Sequence, residues 1–238
     1  MSNKVIAPTL AEFELAHENV LSVAIKTPLL KSNFLSRFTG QEVFLKCENL
    51  QRTGAYKLRG AYNRMSKLTA AERKKGVVAA SAGNHAQGVA LAAKRLGVKA
   101  TIFMPIGASL PKLQATENYG AEVVLTGAVF GETLAAAKEY AAKKGAIFIP
   151  PFDHLDIIAG QGTVGLEIVE EMHDVDNIIV ALGGGGLGAG VATAAKLKAA
   201  TLGRKIKVIG VQAKNASPYV QSMKLGRPIE QQIQRTIA

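Results

Sequence analysis

The chain has 238 residues, 48% of them apolar, and a formal net charge of +11. This length suffices for one large or two small α/β domains. No run of roughly 18 apolar residues occurs, and charged residues such as Lys4, Glu12 and Glu18 interrupt the apolar positions near the start. We therefore expect neither a membrane span nor a signal peptide, and a soluble, cytoplasmic protein.

The cysteine and histidine content argues against a metal centre. Cys47 is the only cysteine, so an internal disulfide and a multi-cysteine metal site are both excluded. The four histidines show no metal-ligand spacing. We predict no bound metal.

The positive charge is concentrated near the end of the sequence. Between Asn177 and Ile229 there is no Asp or Glu, but there are eight Lys or Arg residues. One interpretation is an anion or nucleic-acid surface. The basic residues are not interleaved with aromatic ones, apart from Tyr219 nearby, so we favour a solvated basic face and expect no nucleic-acid partner.

From about residue 43 onward, short β-rich runs alternate with stretches of helical periodicity. The predicted strands are Val43–Lys46, Val77–Ser81, Ala100–Met104, Glu122–Leu125, Ile147–Ile149, Asn177–Leu182 and Lys207–Val211. The predicted helices are Asn84–Leu96, Ser109–Tyr119, Glu132–Lys144, Ile157–Met172, Leu187–Ala200 and Pro218–Leu225. This alternation predicts a parallel α/β architecture.

A tract of four consecutive glycines, Gly183, Gly184, Gly185 and Gly186, follows an apolar strand and precedes Leu187 and an alanine-rich helix. Its backbone N–H groups and the helix N-terminus can surround a phosphate. A close-packed turn would need fewer glycines. The tract also fits G-x-G-x-x-G, but the acidic residue that a dinucleotide ribose requires about 20 positions later is absent.

Two further tracts offer polar groups. Lys57 follows an aromatic residue, Tyr56, within RTGAYKLRGA, a pattern that by itself equally fits a solvated lysine. The loop Ser81-Ala82-Gly83-Asn84-His85 follows the strand VVAA and leads into a helix, so its free N–H groups could bind a carboxylate. His85 alone could equally be an exposed first-turn residue, and we do not assign it a catalytic role.

Together the three tracts resemble the fold type II pyridoxal-5′-phosphate (PLP) enzymes, most closely the threonine dehydratases of the catabolic and short biosynthetic kinds. The resemblance spans essentially the whole chain and includes KCENLQRTGAYKLRGAYN, SAGNHAQG, IPPFDHLDIIAGQGT, GGGG and KVIGVQ. It implies two parallel-sheet α/β domains of the tryptophan synthase β-like kind, with the smaller inserted into the larger. The implied boundaries are 1–54 and 151–238 for the large domain and 55–150 for the small one.

The resemblance also implies residue roles. Lys57 would form the Schiff base with PLP and later remove the α-proton, and Tyr56 would flank the cofactor ring. Asn84 would bind the 3′ oxygen, while Gly183, Gly184, Gly185, Gly186 and Leu187 would hold the phosphate. Ser81, Gly83, Asn84 and His85 would present N–H and side-chain donors to the carboxylate of an amino-acid substrate.

The function implied is deamination of L-threonine by α,β-elimination, with L-serine as a secondary substrate. Serine racemases share the fold but carry SSGN where this chain has Ala82, and inversion needs a proton donor on each face of the cofactor. Cysteine synthase and cystathionine β-synthase usually bind phosphate with GTGGT. The racemase metal site is not expected, since Gln212 and Pro218 occupy positions where carboxylates would stand.

Family members continue beyond the point at which this sequence ends. The continuation carries an SGGN-type segment that partners the pyridine nitrogen, so the resemblance leaves a truncated, non-catalytic PLP-binding fragment as an alternative. It also implies a homo-oligomer, most plausibly a dimer.

Overall fold

The computed structural model describes residues 7–229 and 236. The strands in this part are β1 (Leu29–Lys31), β2 (Phe44–Lys46), β3 (Val77–Ala80), β4 (Ala100–Met104), β5 (Glu122–Leu125), β6 (Ile147–Phe148), β7 (Asn177–Ala181) and β8 (Lys207–Val211). The α-helices are α1 (Leu10–Leu21), α2 (Asn33–Thr39), α3 (Lys57–Ser66), α4 (Ala70–Lys75), α5 (Asn84–Leu96), α6 (Leu110–Asn118), α7 (Phe130–Lys144), α8 (Leu155–Glu171), α9 (Gly186–Thr201) and α10 (Pro218–Leu225).

Four strands form a parallel sheet in the order β5-β4-β3-β6. Every residue of β3 and β4 is buried, as expected for strands covered by helices on both faces. Val77 and Ala79 pack in one cluster with α5, whereas Val78 and Ala80 pack with Ala137 of α7. The predicted parallel α/β class is therefore confirmed.

Two smaller sheets accompany this one. Strands β7 and β8 pair in parallel, and Ile178 and Val180 lie buried on the face of β7 that carries the helices. Ile179 lies on the opposite face and is 70% exposed. Strands β1 and β2 form an antiparallel pair in which Leu30 stands opposite Leu45, an arrangement that the predicted alternation did not include.

Helix α8 contacts both α3 and α9 at backbone distance. A Cβ atom added to Gly160 of α8 would lie 2.6 Å from the Cα of Gly60, and one added to Gly190 of α9 would lie 2.7 Å from the nitrogen of Gly162. Glycine permits such an approach because it has no side chain to separate the helices. Since α3 begins at Lys57, α8 sets the position of this lysine relative to the start of α9.

A buried charge network also fixes α3 to α8. Arg59 is fully buried, and its guanidinium donates to Glu167 at 2.6 Å, to Glu48 at 2.8 Å and to Thr163 at 3.1 Å. Lys46 lies 2.8 Å from the second oxygen of Glu167. Buried charges persist only when they are paired, and removing one partner typically costs about 3–5 kcal/mol. The network therefore holds the first turn of α3 in one place.

The described residues contain neither a membrane-spanning helix nor a group of side chains that could hold a metal ion. No helix in residues 7–229 is long and apolar enough to cross a membrane. Within the same range and Thr236, no three His, Cys, Asp or Glu side chains are grouped so that they could hold a metal ion.

Candidate active site

A cleft with an empty volume of about 250 Å³ brings together residues that lie far apart in the sequence. It is lined by Tyr56, Lys57, Pro151, Phe152, Gln161, Ala181, Gly183, Gly184, Gly185, Gly186 and Leu187. The predicted lysine and the predicted phosphate-binding tract therefore face the same space. A single molecule in this cleft can reach both.

The glycine tract joins the end of β7 to the start of α9. Helix α9 begins at Gly186 and runs for 16 residues, so its first N–H groups lack intrahelical acceptors and carry the positive end of the helix dipole. Gly185 precedes it with a φ of 90°, a left-handed value that favours glycine. Free N–H groups, a helix N-terminus and the absence of side chains together make an anion site.

Three of the four glycines in the tract are packed tightly against Phe152 or Tyr219. A Cβ atom on Gly184 would lie 2.2 Å from the Phe152 ring, and one on Gly186 would lie 2.7 Å from the Phe152 carbonyl oxygen. A Cβ on Gly185 would lie 2.0 Å from the hydroxyl oxygen of Tyr219. In contrast, a Cβ on Gly183 would meet no atom within 4 Å.

Lys57 is the first residue of α3. Its Nζ donates a hydrogen bond of 2.7 Å to the carbonyl oxygen of Pro151, and it lies 5.4 Å from the centre of the Tyr56 ring. Burial lowers the pKa of Lys57 to about 8. An appreciable fraction of the amine is therefore neutral near neutral pH, and a neutral amine is nucleophilic and can accept a proton.

The loop that contains Ser81 and Gly83 lies between β3 and α5. The Ser81 hydroxyl accepts a hydrogen bond of 3.2 Å from the Gly83 nitrogen, and Asn84 is exposed as the first residue of α5. These residues do not line the 250 Å³ cleft. Helix α5, which follows this loop, nevertheless packs against the lysine's helix, because a Cβ added to Gly88 would lie 3.1 Å from the Lys57 carbonyl carbon.

The His85 side chain is not available as a donor to a substrate carboxylate, contrary to what the resemblance had implied. Its Nε2 lies 3.1 Å from the carbonyl oxygen of Ile149 in the core. Burial, with a smaller contribution from the charge of Lys57, lowers the pKa of His85 to about 4. The ring is therefore neutral, and since a carbonyl can only accept, Nε2 carries the proton. Only the backbone N–H of His85 remains for the predicted role.

Several residues of the cleft were not singled out from the sequence. Pro151 and Phe152 follow β6, and their positions depend on packing against Lys57 and the glycines. Gln161 lies on α8 and is 1% exposed. A sequence signal existed for Gln161, since a polar amide flanked by Gly160 and Gly162 stands within a mainly apolar stretch of α8.

Residues 20–238 match the family described as pyridoxal-phosphate dependent enzymes. The chain belongs to this family. The resemblance inferred from the lysine, SAGN and tetraglycine tracts is thereby confirmed.

Among curated proteins, the chain is 49% identical over 219 residues to an L-threonine ammonia-lyase of Thermotoga maritima. It is 51% identical over 201 residues to the catabolic L-threonine dehydratase TdcB of Escherichia coli K12. These alignments cover 92% and 84% of this chain but 54% and 60% of the relatives. The chain thus spans somewhat more than half of their length.

Solved structures show the same fold. A maize serine racemase superposes with a TM-score of 0.88 at 35% identity, covering 94% of this chain and 67% of that one. The processed form of threonine deaminase isoform 2 from Solanum lycopersicum superposes with a TM-score of 0.87 at 40% identity, covering 96% and 67%. The predicted fold type II class is therefore confirmed.

Proposed function

We propose that this chain carries the PLP site of an L-threonine ammonia-lyase, which eliminates water from L-threonine and releases an enamine that water hydrolyses to 2-oxobutyrate and ammonia, with L-serine as a secondary substrate. The observation that carries the proposal is the position of Lys57 Nζ in one cleft with Gly183–Gly186. The two curated relatives described above, the ammonia-lyase and the catabolic dehydratase, are named for threonine. Their similarity favours threonine over other amino acids.

The residues of the cleft fit the cofactor. The backbone N–H groups of Gly183–Gly186 and Leu187 suit a phosphate, because these residues line the cleft and the glycines have no side chains to fill it. Lys57, with its lowered pKa, suits an aldehyde partner, and Tyr56 provides an aromatic surface beside it. We assign Asn84, the first residue of α5, to the 3′ oxygen by the resemblance to the family.

The chain's own groups have distinct tasks in the elimination. PLP, when bound, would supply an electron sink for the bond that breaks at the substrate α-carbon. Lys57 would accept the α-proton at Nζ, since burial keeps a fraction of this amine neutral. Ser81 and the backbone N–H groups of Gly83, Asn84 and His85 would hold the substrate carboxylate at the N-terminus of α5.

Serine racemisation is the second candidate, and the superposition with the maize serine racemase favours it. Racemisation requires a second proton donor opposite Lys57. Ala82 stands in the loop where the racemases carry a second serine, and alanine has no proton to transfer. The residues present therefore favour elimination.

Product analysis tests this assignment. Supplied with PLP, the protein should release 2-oxobutyrate from L-threonine and, more slowly, pyruvate from L-serine, and Lys57→Ala should abolish both. Formation of D-serine without either oxo acid would overturn the elimination assignment. A protein that attaches PLP at Lys57 but releases no product would support the alternative of a non-catalytic PLP-binding fragment.

We further propose that residues 55–150 form the small domain and that 1–54 and 151–238 contribute to the large one. The separation of the four-stranded sheet from the β7-β8 pair supports this division. By analogy with the family we also propose a homodimer in the cytoplasm. Sedimentation at several protein concentrations tests the dimer, and a monomer throughout would contradict it.

A further inference from the structure

Gln161 is a buried polar residue in the wall of the cleft. It lies on α8, is 1% exposed, and shares the cleft with Lys57 and the glycine tract. A buried amide is costly unless its oxygen and nitrogen both find partners, because transfer from water removes the hydrogen bonds that water supplies.

The oxygen of Gln161 has a partner at the start of the lysine's helix. Oε1 accepts a hydrogen bond of 3.2 Å from the backbone nitrogen of Gly60, the fourth residue of α3. The first four N–H groups of a helix lack intrahelical acceptors, so Gln161 completes this helix end from a neighbouring helix. Only the amide oxygen can accept from an N–H group, which assigns the orientation of the amide.

The nitrogen of the same amide lacks a partner within the described part of the chain. Nε2 donates to none of the residues in 7–229 or to Thr236. The only fully enclosed side-chain atoms without a partner in that part are Nδ1 of His17 and Nε of Arg64. Nε2 of Gln161 is therefore not fully enclosed, and the residue that carries it lines the cleft.

We propose that Gln161 is a further cofactor-binding residue, whose Nε2 donates a hydrogen bond to a phosphate oxygen of PLP. The inference rests on the function proposed above. The phosphate is the acceptor because the glycine N–H groups that line this cleft define its anionic end, and a hydrogen bond to a charged oxygen is stronger than one to a neutral group. One side chain then links the phosphate to the helix that carries Lys57.

The sharpest test is Gln161→Glu. Glutamate retains an oxygen that can accept from Gly60, but it removes both N–H donors and places a negative charge beside the phosphate. We expect PLP affinity to fall at least about tenfold, since hydrogen bonds to charged groups contribute more than 1.4 kcal/mol. Affinity for pyridoxal, which lacks the phosphate, should stay within about twofold.

Two further variants serve as comparisons. Gln161→Met, which is similar in size and uncharged, should also weaken PLP and spare pyridoxal, and it remains informative if the glutamate variant does not fold. Gln114→Glu makes the same charge change on the exposed surface of α6 and should leave both affinities unchanged. Protection of the wild-type protein against heat by inorganic phosphate should be lost in Gln161→Glu and kept in Gln114→Glu.

The outcomes separate this inference from the function on which it rests. Wild-type PLP affinity in folded Gln161→Glu and Gln161→Met, or an equal loss for pyridoxal, would overturn the role of Gln161 and leave the proposed function intact. Failure of the wild-type protein to bind PLP would instead contradict the proposed function, and the role of Gln161 with it.

Discussion

Lys57 and His85 lie close together, and burial shifts the pKa of both in the same direction. The pKa of Lys57 falls to about 8 and that of His85 to about 4, the latter partly through the charge of Lys57. The two residues differ in what the loss of charge does. A neutral lysine has a nucleophilic amine, whereas a neutral histidine acts here as a hydrogen-bond donor. His85 therefore supports the Ile149 carbonyl, and Lys57 retains the chemistry.

The burial of a neutral His85 should make the free energy of unfolding depend on pH in the acid range. The unfolded chain protonates His85 near its ordinary pKa of 6.5, but the folded chain does so only near about 4. Between these values the unfolded state binds more protons, so stability falls as the pH falls through this window. The loss is on the order of 3 kcal/mol for one such residue. In His85→Gln, which keeps an N–H donor and does not titrate, this part of the loss should be absent.

Urea unfolding at a series of pH values measures the effect. The comparison is between the slopes of the two stability profiles, since the substitution also changes packing. If the free energy of unfolding falls with the same slope at acid pH in the wild-type protein and in His85→Gln, the pKa of His85 is not lowered as described.

The glycine tract offers a matched pair of substitutions. Gly185→Ala places a side chain at a positive φ and against the Tyr219 hydroxyl, whereas Gly183→Ala meets no neighbouring atom. Without cofactor, Gly185→Ala should lower the free energy of unfolding by about 1–3 kcal/mol, the usual cost of such a backbone position. Gly183→Ala should change it by less than about 0.5 kcal/mol. Equal losses in chemical denaturation would contradict the geometry described for the tract.

The sequence predicted Gly183–Gly186 from a distinctive local pattern, whereas it predicted Lys57 only from the combination of tracts that resembles the family. It could not predict the contacts of Phe152 and Tyr219 with these glycines, since such contacts depend on how β6 and α10 pack. The same applies to the His85 side chain. Its acceptor, Ile149, lies 64 residues further along the chain.

Among the elements, those with strong local signals were predicted best. Strands β4, β5 and β8 and helices α5 and α10 have the bounds that the sequence pattern predicted. Helices α1, α2, α3 and α4 were not predicted. Thr9 and Glu12 form a capping box at the start of α1. This local signal lies before residue 43, where the predicted alternation of strands and helices begins. Helix α3 begins without a side-chain cap, and tertiary bonds of Arg59 hold it.

The close contact between α3 and α8 leads to a second pair of substitutions. Gly160→Ala would force its Cβ to within 2.6 Å of the Gly60 Cα, so the helices must separate. We expect a loss of about 1–3 kcal/mol from overpacking. Gly131→Ala in α7 has open space and should be neutral or stabilising by up to about 1 kcal/mol.

Denaturation midpoints of both variants check this expectation. The separation of the helices should also move Lys57, so PLP affinity should fall in Gly160→Ala and not in Gly131→Ala. Unchanged stability of Gly160→Ala would mean that α3 and α8 do not meet at these glycines.

For the whole molecule, the alternation of strands and helices sufficed to predict a parallel α/β fold. It did not predict that the strands in the described part of the chain divide into three sheets, because pairing partners are chosen by packing over long sequence separations. The basic segment illustrates the same limit. Lys198 pairs with Glu14 at 3.1 Å, and Arg204 binds Asp176 at 3.1 Å, so acidic residues outside the segment balance part of its charge.

The central claim is that Lys57 and the glycine tract form one PLP site. Adding PLP, reducing with borohydride and mapping the labelled peptides tests it directly. We predict one dominant label at Lys57, formed faster as the pH rises through about 8 because the neutral amine reacts, and suppressed by inorganic phosphate at the glycine tract. Labelling spread over exposed lysines, or unchanged in Lys57→Ala, would contradict the claim.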